Sequence, residues 1–207
     1  MMRIILASGS PRRKELLEQI GLEFEVKVSS VEEEYDSEKP EEIVKELALI
    51  KALDIAQGSE EDYIEGDCIV IGADTIVVKD DKVLGKPNTQ EEAFLMLKSL
   101  QGASHMVYTG VAIIECREGV DEEDGGVGFT FDITNHAIGT KVYVMPMTDE
   151  EITKYIATGE PMDKAGAYGI QGRFSAYVEG IEGDYFNVMG LPVSYVNAVV
   201  QDILKRK

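Results

Sequence analysis

The sequence predicts a mixed α/β fold, and three observations support this class. Short apolar runs typical of buried strands alternate along the whole chain with segments that carry helical periodicity. Hydrophobic residues make up 44% and charged residues 29% of the chain, as in ordinary globular proteins. The 207 residues contain no internal repeat and no low-complexity linker. We therefore expect one domain over residues 1–207, with two tightly joined lobes and no separable linker.

The first predicted strand runs from Ile4 to Ala7 and leads into a helix. Ser10 fits the N-cap of this helix, Pro11 its first position and Gly21 the position just past its end. A second strand is predicted over residues 23–28. The first helix thus begins directly at the end of a buried strand.

The later elements follow from apolar periodicity and capping signals. The first of them are a helix from Pro40 to about Gly58, a buried strand over 68–73, and a hairpin of 76–78 with 82–84 around Asp80-Asp81. A helix with a Thr89/Glu92 capping box follows and ends near Gly102, and after it come a strand over 107–114 and extended structure over 129–145. A helix with a Thr148/Glu151 capping box then stops at Gly159, and the C-terminal helix starts at Leu191-Pro192. The acidic, glycine-rich residues 117–128 are expected to form a mobile hairpin tip.

The charge balance restricts the function. With 20 basic and 39 acidic residues the formal net charge is −19, which argues against binding duplex nucleic acid. Two cysteines and two histidines show no metal-ligand spacing. We see no signal peptide and no apolar stretch long enough to cross a membrane, and therefore expect a cytoplasmic protein. An anionic substrate would require local basic groups or a metal cation.

Arg12 and Arg13 occupy an unfavourable position for cations. The N-terminus of a helix already carries partial positive charge and unpaired N–H groups. Two arginines there, beside Gly9 and the hydroxyls of Ser8 and Ser10, favour docking of a phosphate-bearing ligand. The alternative is a solvated cap with two surface arginines.

Two lysines and two acidic positions complete the basic and metal-binding candidates. Lys51 falls on the apolar stripe of its helix, where a lysine is unwelcome; for a lone lysine the favoured account is that its long stem carries the ammonium group to the surface. Lys86 follows a strand at a rigid corner before Pro87. Asp74 ends the strand over 68–73, and at such a strand end it holds a magnesium ion, polarises a water or merely caps the following turn. The acidic run 32–34 is either a solvated face or the source of a second metal ligand.

The segment 159–172 is the most distinctive part of the chain. Glycines at 166, 169 and 172 follow the charged pair Asp163 and Lys164, which predicts a compact, ordered loop. Gln171 offers both a donor and an acceptor, the pattern needed to recognise the edge of a base. A purely structural turn is the alternative.

Together these motifs resemble the Maf proteins in order and spacing. The resemblance is carried by five segments: residues 8–13 (SGSPRR), 72–75 (GADT), 85–87 (GKP), 163–172 (DKAGAYGIQG) and 190–192 (GLP). It runs from Ile4 to the last helix. It implies an elongated mixed sheet flanked by helices, with two lobes around a cleft, similar to inosine-triphosphate pyrophosphatases.

The resemblance also implies an activity and a set of residue roles. The expected reaction is hydrolysis of a nucleoside triphosphate to the monophosphate and pyrophosphate, with a divalent metal, either Mg²⁺ or Mn²⁺. Asp74 matches the proton acceptor, and Glu33 would help it hold the metal. The remaining matched positions are substrate contacts: Ser10, Arg13, Lys51 and Lys86 at the phosphates, Arg12, Thr75 and Gln171 in substrate choice, and Asp163 and Lys164 beside them.

Within the family, these versions of the motifs resemble the branch that acts on dTTP and UTP; a pyrophosphatase for modified pyrimidine nucleotides is the alternative. A homodimer is expected from the resemblance alone. Residues 118–128 are longer than in compact members of the family and lie away from the matched motifs. The alternative to an enzyme is a nucleotide-binding regulator of septum formation with little catalysis.

Overall fold

The computed structural model describes residues 2–58, 66–120 and 127–206. The strands in these ranges are β1 (Arg3–Leu6), β2 (Glu25–Val26), β3 (Cys68–Lys79), β4 (Lys82–Leu84), β5 (Ser104–Val120), β6 (Val127–Val144) and β7 (Val178–Glu182). The α-helices are α1 (Pro11–Gln19), α2 (Pro40–Gln57), α3 (Gln90–Leu100), α4 (Asp149–Ile156), α5 (Tyr185–Met189) and α6 (Val193–Lys205). The predicted α/β class is confirmed.

The strands form one seven-stranded mixed sheet in the order β2-β1-β3-β5-β6-β7, with β4 paired to β3. β1 is parallel to both β2 and β3, whereas β3 with β4 and β6 with β7 are antiparallel. Parallel pairing at β1 places α1 after the carboxyl end of a buried strand, as the apolar run and its helix signals predict.

Two predicted strands have different lengths in the structure. The second strand is predicted over 23–28 but pairs only at Glu25 and Val26, because its partner β1 ends at Leu6. The strand over 68–73 and the first arm of the hairpin are one continuous strand, β3. The hairpin turn itself lies where predicted, and Asp80 and Asp81 have φ angles of 48° and 60°, as a type I′ turn requires.

The helix signals are accurate with small differences. Ser10 is the N-cap of α1 and Pro11 its first residue, although the Ser10 side chain makes no capping hydrogen bond. Thr148 and Glu151 form the complete capping box of α4. At α3, Thr89 accepts from the Glu92 amide, but the Glu92 carboxylate accepts from the amide of Asn88, so the predicted box is shifted by one residue.

Three further differences concern the second half of the chain. β5 and β6 extend to Val120 and from Val127, so part of the predicted tip over 117–128 is strand; residues 121–126 of that tip lie outside the described ranges. The short helix α5 was not predicted. α6 begins at Val193, with Pro192 as its N-cap. None of the described helices combines the length and the apolar character needed to cross a membrane.

The chain divides into two compact units. Unit 1 comprises residues 1–74, 110–137 and 191–207, and unit 2 comprises residues 75–109 and 138–190. In unit 1, α2 packs against the sheet through small residues, and Ala48 and Ala52 are buried with Ile5, Val70 and Ile114.

Unit 2 has an aromatic core. Fully buried Phe174 lies 4.7 Å from Tyr168 and 5.3 Å from Tyr155, measured between ring centroids. Aromatic pairs at such distances stabilise a core beyond their buried area. This core therefore anchors the predicted loop over 159–172 to α4.

Candidate active site

The turn between β1 and α1 is organised by Ser8. Its hydroxyl oxygen accepts hydrogen bonds from the Ser10 amide at 3.3 Å and from Arg13 Nη1 at 3.0 Å. Ser8 is almost completely buried, whereas Gly9 is exposed. The turn is thus held from inside by Ser8, and Gly9 lies on its exposed side.

Arg13 is the charged centre of this turn. Burial lowers the pKa of its guanidinium, and the charge of Arg12 acts in the same direction, while Asp74 and Glu33 oppose the shift. The first turn of α1 contains no acidic residue. Arg12, Glu33 and Asp74 therefore all lie within electrostatic reach of the Arg13 guanidinium.

Lys51 joins two of these carboxylates. Its Nζ lies 2.7 Å from Asp74 Oδ1 and 2.8 Å from Glu33 Oε1. The side chains of Lys51 and Asp74 are each only 13% exposed, whereas that of Glu33 is 58% exposed. The ammonium group is thus an ion-pair centre within unit 1, and the snorkelling alternative is wrong.

Close packing of α2 on β3 creates this contact. A Cβ atom added at Gly72 would lie 2.4 Å from the Ala48 carbonyl oxygen and 2.8 Å from Ala52 Cβ. Only a glycine permits that approach. Lys51 lies between Ala48 and Ala52 on α2, and Asp74 lies two positions after Gly72 on β3. The close packing therefore brings the side chains of Lys51 and Asp74 together.

The expectation that Asp74 ends its strand is wrong. β3 continues to Lys79, and Asp74 lies inside it. What ends near Asp74 is the parallel ladder, because β1 pairs with β3 only up to Leu6 with Ile71, followed by one hydrogen bond from Ala7 N to Ile71 O at 2.8 Å. The carboxylate thus still stands just past the carboxyl end of a parallel pair, where ligands gather in α/β sheets.

The two acidic donors, Glu33 and Asp74, fit a divalent cation whose coordination shell other ligands complete. The described residues contain no group of three or more His, Cys, Asp or Glu side chains that forms an all-protein metal site. Glu33 and Asp74 nevertheless share one cation, Lys51. Magnesium is usually bound by one or two carboxylates, with substrate phosphates and water completing its shell. These two carboxylates match that donor set.

In unit 2, Thr75 belongs to a buried polar network that the sequence did not reveal. The Thr75 and Thr109 hydroxyl oxygens are 2.9 Å apart, and Thr109 donates to the Asn187 carbonyl oxygen at 2.9 Å. Because the single Thr109 proton is used there, Thr75 donates to Thr109. Asn187 is fully buried and its side-chain amide donates to Val107 O and Thr140 Oγ1.

The predicted ordered loop over 159–172 is present. Lys164 Nζ donates to the Glu160 carbonyl oxygen at 2.7 Å and to Asp163 Oδ1 at 2.6 Å. Gly166 has a φ of 68° and donates to the Gly85 carbonyl oxygen at 3.0 Å, which ties the loop to the corner that carries Lys86. The side chains of Lys86 and Gln171 are exposed.

The structure thus brings one set of predicted residues together in each unit. In unit 1 the set is Ser10, Arg12, Arg13, Glu33, Lys51 and Asp74. In unit 2 the loop that carries Asp163, Lys164 and Gln171 is tied to the corner that carries Lys86. Thr75 lies apart from that loop, in the buried network with Thr109. Sequence reasoning missed Thr109 and Asn187, since a buried threonine and asparagine carry no local signal. It also missed Glu160, whose only signal in the sequence is its position between Gly159 and Pro161.

Comparison with known proteins supports one family. The model of the family described as Maf-like protein matches residues 3–203. A dTTP/UTP pyrophosphatase of Thermoanaerobacter sp. (strain X514) is 49% identical over 206 residues, which cover 100% of this chain and 97% of that protein. The dTTP/UTP pyrophosphatase of Alkaliphilus oremlandii (strain OhILAs) is 49% identical over 203 residues, covering 98% and 96%. That of Geobacillus sp. (strain WCH70) is 48% identical over 195 residues, covering 94% of each. The chain belongs to the Maf family.

Proposed function

We propose that this protein hydrolyses nucleoside triphosphates, with dTTP and UTP as substrates, to the monophosphate and pyrophosphate. The observation that carries the proposal is the cluster of Lys51, Asp74 and Glu33 in unit 1, within electrostatic reach of Arg13. A protein of net charge −19 that concentrates cations around two carboxylates is suited to a polyanion and a metal cation. The names of its relatives point to the same substrates.

Phosphate binding is assigned to the start of α1 and to two lysines, Lys51 in unit 1 and Lys86 in unit 2. Arg12 and Arg13 supply charged donors in the first turn, where backbone N–H groups also point outward. Ser10 adds a hydroxyl group that makes no capping bond. Lys51 and Lys86 contribute compact charges of the kind that bind phosphate oxygens.

A divalent cation, which we propose to be Mg²⁺ with Mn²⁺ as the alternative, would be held by Glu33 and Asp74. When bound, such a cation neutralises charge on the phosphate oxygens and thereby makes the α-phosphorus a better electrophile. Both carboxylates already face a positive charge, that of Lys51. The site thus has the electrostatic character that cation binding requires.

Asp74 is assigned as the proton acceptor for the attacking water. In the absence of a ligand Lys51 binds Oδ1 of Asp74. We assign Oδ1 to the cation, which would replace the ammonium group there, and Oδ2 to the water. A carboxylate held in this way orients the nucleophile and accepts its proton as the bond to phosphorus forms. The positive charge of Lys51 then stabilises the negative charge that develops on the phosphates in the transition state.

Recognition of the base is assigned to unit 2. Thr75 is held by Thr109, so its hydroxyl has a defined direction. Gln171 is exposed on an ordered loop and offers an amide donor and acceptor. Asp163 and Lys164 form an ion pair at the start of the same loop. We propose these four residues as the contacts that favour dTTP and UTP.

The reaction is tested by pyrophosphate release from UTP and dTTP with Mg²⁺, compared as kcat/KM across a panel of natural and modified nucleotides. A purified protein that binds UTP but releases no pyrophosphate would instead act as a nucleotide-binding regulator. A modified pyrimidine triphosphate with a much higher kcat/KM would identify a housecleaning enzyme. The homodimer expected from the family resemblance is tested on the same preparation by sedimentation.

The Asp74→Asn substitution tests the assigned base. The amide keeps the size and one acceptor oxygen but cannot take up a proton, so we expect kcat with UTP to fall more than ~100-fold. Nucleotide affinity, measured by calorimetry, should stay close to the wild-type value. Near-normal turnover would overturn the assignment of Asp74.

A further inference from the structure

The partly buried carboxylate of Glu160, in unit 2, has no role in the function proposed above. Glu160 lies in the corner between α4 and the loop over 159–172, and its two carboxylate oxygens make separate contacts. Oε2 accepts a hydrogen bond from the Arg173 amide at 3.0 Å, and Oε1 accepts one from the Tyr155 hydroxyl at 3.0 Å. A single side chain thus joins the end of α4 to the far end of the loop.

The Tyr155 hydroxyl extends this connection to the other side of Gln171. It accepts a hydrogen bond from the Gly169 amide at 3.4 Å. Burial and the neighbouring Glu160 carboxylate raise the pKa of Tyr155, so its hydroxyl keeps the proton that it donates to Glu160. Gly169 and Arg173 are the residues two before and two after Gln171. Both are therefore tied to the same carboxylate.

Gly172, next to Gln171, is shaped to fit Glu160. A Cβ atom at this position would lie 2.0 Å from Glu160 Oε1 and 2.4 Å from Glu160 Cδ. The φ of Gly172 is −87°, which any residue adopts, so the backbone conformation does not require glycine. A side chain at 172 would instead displace the Glu160 carboxylate, which lies against the backbone at that point.

The apolar anchors of the loop lie on both sides of the same segment. Tyr168 and Phe174 are buried, and Phe174 packs on Tyr155 of α4. Between these anchors the only exposed side chain up to Gly172 is that of Gln171. The loop therefore presents one amide side chain on a backbone that is held at 169, 172 and 173.

We propose that Glu160 is a positioning residue for Gln171, and that through Gln171 it sets the preference of the enzyme for uracil and thymine over cytosine. This inference rests on the proposed function and on the assignment of Gln171 to the base. Uracil and thymine present a carbonyl oxygen at position 4 and a donor at N3, whereas cytosine presents an amino group and an acceptor. An amide distinguishes these two edges only if its oxygen and nitrogen keep one orientation on the bound base. The contacts at Gly169 and Arg173 fix the backbone position from which the Gln171 side chain reaches that base. A backbone ordered before binding also reduces the entropy lost when the base is bound.

The measurement is the ratio of kcat/KM for UTP to kcat/KM for CTP. Both values are obtained from one preparation, so the fraction of folded enzyme cancels and a partly unfolded variant still gives a valid ratio. We expect Glu160→Ala to lower the ratio by about 10-fold or more, the scale of one net hydrogen bond. Glu160→Gln keeps an acceptor for the Arg173 amide and should restore most of the ratio.

Glu182→Ala is the matched control. Glu182 also accepts a hydrogen bond from a tyrosine, at 2.8 Å from Tyr143, and also belongs to unit 2, but it lies on β7. This variant should keep the wild-type ratio. Its unfolding temperature also shows how much the loss of such a contact alone lowers stability.

A double-mutant cycle tests whether Glu160 acts through Gln171. Gln171→Ala should lower the ratio as Glu160→Ala does, and the double variant should lower it no further. A wild-type ratio in Glu160→Ala, a wild-type ratio in Gln171→Ala, or additive effects in the double variant would each overturn the proposal. Failure of the proposed function looks different, because the wild-type protein would then release no pyrophosphate from any nucleotide.

Discussion

Lys51 shows how one residue acquires a role that its own helix disfavours. The side chain sits on the buried stripe of α2, and its ammonium contacts two carboxylates from other parts of the chain, Asp74 on β3 and Glu33. Removing one partner of such a buried pair leaves uncompensated charge. The lysine therefore stabilises the two carboxylates in the absence of a ligand, and any cation that binds them competes with its ammonium group.

The Lys51→Met substitution tests this competition. Methionine retains the apolar stem and removes the charge. We expect Mn²⁺ affinity without nucleotide to rise by about 10-fold or more, since interactions between neighbouring unit charges are on the order of a few kcal/mol. Calorimetry measures the affinity, and KM for UTP should rise at the same time because a phosphate contact is lost. Lys45→Met, which removes an ion pair with Glu42 on the same helix, is the control and should change neither value. Unchanged Mn²⁺ affinity in Lys51→Met would contradict the competition.

His105 links stability to pH. It is 3% exposed, and its Nε2 lies 2.7 Å from the Tyr168 hydroxyl. Burial, with a smaller contribution from the charge of Lys79, lowers the pKa of His105 from 6.5 to about 4. Between these two values the unfolded chain binds a proton that the folded protein does not, so stability rises with pH across this window and is lost as pH falls.

We therefore expect the free energy of unfolding to lose up to about 3 kcal/mol through His105 between pH ~6.5 and pH ~4. Urea unfolding at several pH values gives the free energy of unfolding as a function of pH. The contribution of His105 is the difference between the slopes of this dependence for the wild type and for His105→Gln. His136→Gln, at an exposed histidine, serves as the control and should retain the wild-type slope. Parallel curves for wild type and His105→Gln would show that the folded protein accepts the proton at His105.

At the scale of elements, the helix ends were predictable because capping is local. Thr148 and Glu151 satisfy each other's backbone N–H groups within one turn, and the Thr148 hydroxyl also donates to Glu151 Oε2 at 2.8 Å. Helix α4 then leads directly into the loop that carries Gln171. The cap thus contributes to the foundation of that loop.

Thr148→Ala should lower the free energy of unfolding by about 1 kcal/mol, the usual cost of losing an N-cap side chain. Urea denaturation measures the difference in the free energy of unfolding between the wild type and Thr148→Ala. Thr153→Ala on the same helix is the matched control: its hydroxyl bonds the carbonyl of Asp149 one turn back, a contact that helices do not need, so stability should change by less than about 0.5 kcal/mol. Equal losses in the two variants would argue against a capping role.

Strand lengths were less predictable than helix ends. The sequence divides β3 at Asp74-Thr75, because a carboxylate after an apolar run is typical of a strand end. In the structure the strand continues to Lys79, since β4 pairs with its second half. Pairing partners distant in sequence decide how far a strand extends.

At the scale of the whole molecule, the dominant feature is the net charge of −19. Self-repulsion of this size destabilises a folded chain, and dissolved salt screens it. The cations around Asp74 are local exceptions within an acidic protein.

We expect the urea midpoint of unfolding to rise as NaCl is increased from about 0.01 M to about 0.15 M, because the screening length falls over that range from ~30 Å to ~8 Å. Tetramethylammonium chloride at equal ionic strength is the control for specific cation binding and should give the same rise. A midpoint that falls with both salts would show that favourable ion pairs outweigh the repulsion.

The sequence alone determined the α/β class, the Maf resemblance that the family comparison confirms, the start of α1 and the bounds of α2 within one residue. These features depend on periodicity and on contacts within a few positions, which local sequence encodes. Only the tertiary structure decided that Lys51 pairs with Asp74, 23 positions away, and that Glu160 lies against Gly172. Such contacts arise where small residues let two elements pack closely. The local sequence of one element does not specify which residue of the other element occupies the contact.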